Sequence, residues 1–109
     1  MEWFYDLSYF AGGAVFANAV PHLVSGMCGR PFQSPFAKPP GQGLSSSTVN
    51  VVWGALNLAI AYVLIARVGH FDLQVTADVV AAGLGAFLIA LASAWAFGRF
   101  HGGNAPEAL

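Results

Sequence analysis

Residues 77–98 read ADVVAAGLGAFLIALASAWAFG. This stretch carries one charged side chain, Asp78, and places it at the start. At 1.5 Å per residue a run of this length covers the ~30 Å hydrocarbon core of a bilayer. Helices of water-soluble domains average about 11 residues, so a soluble core is a poor home for it. Two further runs have the same character: 7–27, with no charge after Asp6, and 48–66. The expected fold class is all-α: an integral membrane protein with three transmembrane helices, near 7–27, 48–66 and 77–98, forming a single membrane domain over 1–109.

The whole chain fits that reading. Of its 109 residues 57% are hydrophobic and 8% charged, where soluble domains carry about 25% charged residues. A chain this short could not hide so much apolar surface from water, because small domains bury a lower fraction of theirs. The lipid bilayer is therefore the first expected partner. A net charge of -1 and four basic residues leave nothing for a phosphate-binding stripe, so no nucleic acid is expected. Cys28 is the single cysteine, which rules out an intrachain disulfide. The opening residues MEWFYD contain no Lys or Arg. A cleavable signal peptide starts positively charged, so the first run is expected to stay as an anchor.

Aromatic residues mark the ends of the runs, as expected at a membrane–water interface. Trp3, Phe4, Tyr5, Tyr9 and Phe10 cluster before and within the first, and Trp95, Phe97 and Phe100 close the third. Ser45, Ser46, Ser47 and Thr48 offer N-caps to the second helix; Thr76 offers one to the third, with Asp78 suited to the positive end of its dipole. With three spans, Arg30, Lys38 and Arg99 fall on one side and Arg67 alone on the other. Cytoplasmic loops are enriched in Lys and Arg, which predicts the N-terminus outside and the C-terminus cytoplasmic. The short, compact chain and the lack of a targeting signal point to the inner membrane of a bacterium.

The connection over 28–47 contains CGRPFQSPFAKPPGQGL, with prolines at 31, 35, 39 and 40 that forbid a regular helix. Arg30, Phe32, Phe36 and Lys38 alternate along it as candidate interaction residues. Three readings are open. The Phe side chains dip into the lipid interface beside anionic headgroups; or they anchor a protein partner; or the loop folds back and plugs the bundle. The residues over 102–109 are expected to form a disordered tail.

Helices in lipid hold together by close backbone approach, which favours small residues. Ala82, Ala86, Ala90, Ala94 and Gly98 form a small-xxx-small stripe on the third helix. Gly13 with Ala17 and Ala55 with Ala59 repeat that spacing on the other two. The stripe reads as intrachain packing, with a self-association seam as the alternative.

Polar residues inside the spans need partners, since an unpaired amide in hydrocarbon costs several kcal/mol. Asn18 and Asn57 lie at matched depths, ~12 and ~13 Å from the same end of their helices, and are expected to bond each other. His22, Ser93 and Asn50 share a second, shallower level. His22 follows Pro21, which removes a backbone donor. A histidine at this depth is open to proton relay or pH sensing, and the plainer reading is a hydrogen-bonded interfacial side chain.

No carboxylate lies mid-membrane, which weakens a proton-coupled carrier. Small multidrug-resistance exporters have a comparable length but four spans and a glutamate in the first, so this chain departs from them on both counts. A zinc site wants four ligands, and only His22 and Cys28 are neighbours in sequence. Ser25 and His22 share a helix face, but no third residue supports a nucleophile. No catalytic, cofactor or metal residues are therefore expected. The functional expectation is an accessory or interaction subunit acting through helix packing and its loop on a membrane-protein partner. The alternative is a homo-oligomeric small-solute or ion transporter or channel.

Overall fold

A computed structural model describes residues 2–106. Three helices dominate: α1 (Glu2–Met27), α2 (Ser47–Tyr62), which continues as a π-helical turn (Val63–Arg67), and α3 (Thr76–His101). All three are long and apolar enough to cross a membrane. Two short strands, β1 (Phe32–Gln33) and β2 (Leu44–Ser45), pair antiparallel within the long connection. The bundle measures 46 × 30 × 23 Å. Its centre is α1, with α2 and α3 packed on it and hardly touching each other.

Each helix runs past its sequence-derived limits where side chains allow. Asp6 does not stop α1, because the first turns gain contacts with the second connection: Tyr9 meets Phe71 edge-on at 5.2 Å, and Tyr5 meets His70 at 6.4 Å. Ser46 caps α2, its Oγ accepting from the Val49 amide at 3.2 Å. Thr76 does not cap α3. Val75 holds that position without a side-chain bond, because Asp72 organises the turn instead. Its Oδ1 accepts from Gln74 N at 2.8 Å, while its own amide donates to Asp78 Oδ2 at 3.0 Å. At its other end α3 stops at Gly102, whose φ of 70° suits glycine. Of the tail expected to be disordered, residues 102–106 form a turn held by Gly103 N to Gly98 O at 3.0 Å, and 107–109 lie outside the described residues.

The π-turn has a local cause and a local partner. Val68 N reaches back to Val63 O at 3.2 Å, one residue further than in an α-helix. Such a turn frees carbonyls from the helical ladder. The Ser8 hydroxyl, on α1, donates to Leu64 O at 2.6 Å and ties this widened turn to the first helix.

The two interfaces of α1 differ in kind. Against α3 the contact is backbone to backbone: a Cβ on Gly13 would overlap the Ala82 carbonyl, and one on Gly85 would overlap the Phe10 carbonyl. Gly85, outside the expected stripe, is the buried residue of α3. Ala82 and Ala86 are half-buried, while Ala90 and Ala94 are exposed. Against α2 the packing face is Asn50, Gly54, Asn57 and Ala61. Ala55 and Ala59 point outward. The reason is physical: the amides of α2 must find partners, and turning them inward turns that alanine pair toward lipid.

Candidate functional site

The buried interior is unusual in its chemistry. Among the described residues, Ser8, His22, Gln33, Ser34, Asn50 and Asn57 are buried, against only Tyr9, Ala19, Ala37 and Ala61 of the apolar ones. In a bilayer this inversion is reasonable, since apolar side chains can face lipid while polar ones cannot. Most of these polar groups gather near the end of the bundle that carries the loop.

Asn50 organises the cluster. It has no exposed surface, and its Nδ2 is shared among the carbonyls of Phe32 at 3.2 Å, Ser45 at 3.2 Å and Ser46 at 3.0 Å. One side chain therefore ties both strands of the loop to the first turn of α2. With Nδ2 committed, Oδ1 faces His22, whose Nδ1 lies 2.7 Å away. That fixes the roles: His22 Nδ1 carries the hydrogen and donates, and in the neutral ring Nε2 is left as an acceptor.

A second pair lies deeper. Asn57 Nδ2 donates to Trp53 O at 2.8 Å, so its Oδ1 receives the Asn18 Nδ2 hydrogen at 3.1 Å. The structure thus joins Asn18 to Asn57 and His22 to Asn50. Ser93 goes elsewhere, to a groove between α1 and α3, because its face of the helix turns away from α2.

The loop covers this cluster and splits its two phenylalanines. Phe32 enters the bundle, edge-on to His22 at 5.6 Å, against Phe97 at 4.8 Å and stacked on His101 at 5.5 Å. Gln33 Oε1 meets His101 Nε2 at 3.0 Å, and Ser34 and Ser45 bond through their hydroxyls. Phe36 stays 62% exposed although its ring stands on Trp53 at 5.1 Å. Arg30 and Lys38 are exposed. Of the three readings of this loop, folding back describes Phe32 and leaves Phe36 at the surface.

Beneath the loop lies a cavity of about 360 Å³ lined by Asn18, His22, Gln33, Ser34, Trp53 and Phe97, with Pro35, Pro40 and Gly41 above. Trp53 Nε1 is buried with no hydrogen-bond partner. An unmet buried donor costs about 1–3 kcal/mol. Among the described residues no three His, Cys, Asp or Glu side chains come together, so the chemistry offered is neutral hydrogen bonding against aromatic walls. Gln33, Ser34, Trp53 and His101 were not singled out from sequence for this site. Only the tertiary fold of the loop brings them to His22, and no spacing in the chain announces it.

Three apolar helices around a polar, loop-capped interior define a small multi-pass membrane protein. Comparison with protein-family models, with curated proteins and with solved structures gave no match in any of the three.

Proposed function

We propose that the protein is a non-catalytic accessory subunit that binds a transmembrane helix of a larger membrane protein along the open half of α3. The observation that carries this is a groove of about 670 Å³ between α1 and α3. Its α3 wall is Ala86, Ala90, Ser93 and Ala94, and its α1 wall includes Phe16, Ala17 and Val20. Gly13 and Ala82 close the upper half of this seam. In the lower half α1 and α3 stand apart, and Ala90 and Ala94 are left exposed. Small residues are what a neighbouring helix needs for close approach, and the Ser93 hydroxyl, which bonds no other described residue, offers it a polar contact. In this reading the N-terminus faces outward and the loop faces the cytoplasm of a bacterial cell. Phe36, Arg30 and Lys38 then form a second contact on that side.

The alternative is a homo-oligomeric transporter or channel with Asn18, His22 and Asn57 along its path. It is less favoured, because these groups bond protein partners and the loop lies over their end of the bundle.

The test is the composition of the assembly in mild detergent. A heteromeric complex of fixed stoichiometry is expected, and Ala94→Phe should dissolve it while Val79→Phe, on the outer end, leaves it intact. A homo-oligomer, or solute flux from the purified chain alone that Asn57→Leu abolishes, would overturn the reading in favour of the alternative.

A further inference from the structure

Beyond helix docking, we infer that the cavity under the loop is a binding site for an uncharged phenolic ring, of the kind that heads a membrane quinol. The site is distinct from the α1–α3 groove: Trp53 of α2 and Phe97 of α3 both line it, so it lies in the angle between those helices. Its volume of about 360 Å³ admits a substituted six-membered ring.

The walls dictate the ligand. Among the described residues no Asp, Glu, Lys or Arg lines the cavity, and a charge there would go unpaired at high cost. Trp53 and Phe97 are aromatic boundaries, with the His22 ring 6.5 Å from the indole and 6.2 Å from Phe97. Flat faces of this kind suit a flat ring.

The polar groups left over at the cavity are two. His22, only 2% exposed, spends Nδ1 on Asn50 and keeps Nε2 as an acceptor. Asn18 spends Nδ2 on Asn57 and keeps Oδ1 as an acceptor. A ligand that satisfies both brings hydroxyl hydrogens for His22 and Asn18. A quinol carries them. A quinone carries acceptors alone and can answer neither.

That asymmetry supplies a test that unspecific partitioning into detergent cannot mimic. Decylubiquinol and decylubiquinone are titrated anaerobically into the purified full chain, and binding is followed by calorimetry. Saturable binding is expected, with the quinol favoured over the quinone by about a hundredfold, about tenfold for each of the two buried hydrogen bonds that it alone can make. Asn18→Ala removes one acceptor and should weaken the quinol about tenfold while leaving the quinone unchanged. His22→Leu removes the other acceptor and should cut the preference for the quinol about tenfold, and the double variant should erase it. The tail-free 2,3-dimethoxy-5-methylhydroquinone binding as well as decylubiquinol would assign the site to a soluble phenol; weaker binding would assign it to a lipid quinol. No saturable binding, equal affinity for quinol and quinone, or an Asn18→Ala chain that binds the quinol like the parent would overturn the inference.

Discussion

The two neighbours of α1 are held by opposite means. α2 is held by polar side chains: Asn57 to Asn18, Asn50 to His22, and Ser8 to the carbonyl of the π-turn. α3 is held by the absence of side chains, with Gly13 and Gly85 letting backbone meet backbone. Hydrogen bonds are directional, so the α1–α2 pair has one register and supports a loop folded on its end. Glycine contacts specify distance more than register, and they occupy only part of α3. The first pairing is built to be closed, and the second is left open along Ala90 and Ala94.

The comparison breaks most visibly at Asn50. Asn50→Leu removes the donor shared by three carbonyls and the acceptor of His22 at once. Each buried partner left unmet costs about 1–3 kcal/mol, so the loop should detach and the helix pair lose most of its stability. Hydrogen exchange of residues 32–45 in micelles would read this as lost protection. Protection equal to the parent's would mean the loop is held by its own turns.

The α3 side breaks at Gly13. Gly13→Leu places a side chain where the Ala82 carbonyl stands. Forcing such a group into a closed contact costs about 1–3 kcal/mol. In a Cys28→Ser background, the distance between spin labels at the exposed positions Phe4 and Val80, on α1 and α3, should lengthen, while that between labels at the exposed positions Phe16 and Leu58, on α1 and α2, is kept. If both pairs respond alike, the two interfaces are one cooperative unit and the contrast fails.

How much of this was legible in the sequence follows from the same contrast. The spans were legible because apolar runs must be long to cross lipid, a demand made residue by residue. The Asn18–Asn57 bond could be anticipated because depth along a helix is arithmetic and both amides need partners. Packing faces were harder. Ala55 and Ala59 have the spacing of an interface, yet the amides of α2 outrank them. On α3 the decisive residue is Gly85, one step off the alanine stripe. The site beneath the loop was least legible: Phe32, Gln33 and Ser34 reach His22 only after a hairpin closes over residues 32–45, and that closure depends on Asn50.

A smaller effect is expected where the polar pairing is deepest. Asn18→Ala removes one interhelical bond, and such bonds average about 0.6 kcal/mol in membrane proteins because the separated helices find other partners. Unfolding in dodecyl sulfate should shift slightly, and Asn57→Ala should shift it no further in the double variant. A loss of several kcal/mol would show that the pair supports the cavity beneath the loop as well as the register.

The smallest effect on the chain itself is expected at Ala90. Had the alanine stripe been a continuous internal seam, Ala90→Leu would disrupt the fold. Ala90 is exposed beside the groove, so a larger side chain there has room, and the unfolding midpoint of the isolated protein should not move. The same substitution fills the surface on which a partner helix would lie, so association should weaken without any change in the chain's own stability. That dissociation of effects separates an open face from a packed one. A destabilised chain would place Ala90 in the intrachain seam, and unchanged association would leave the lower half of α3 facing only lipid.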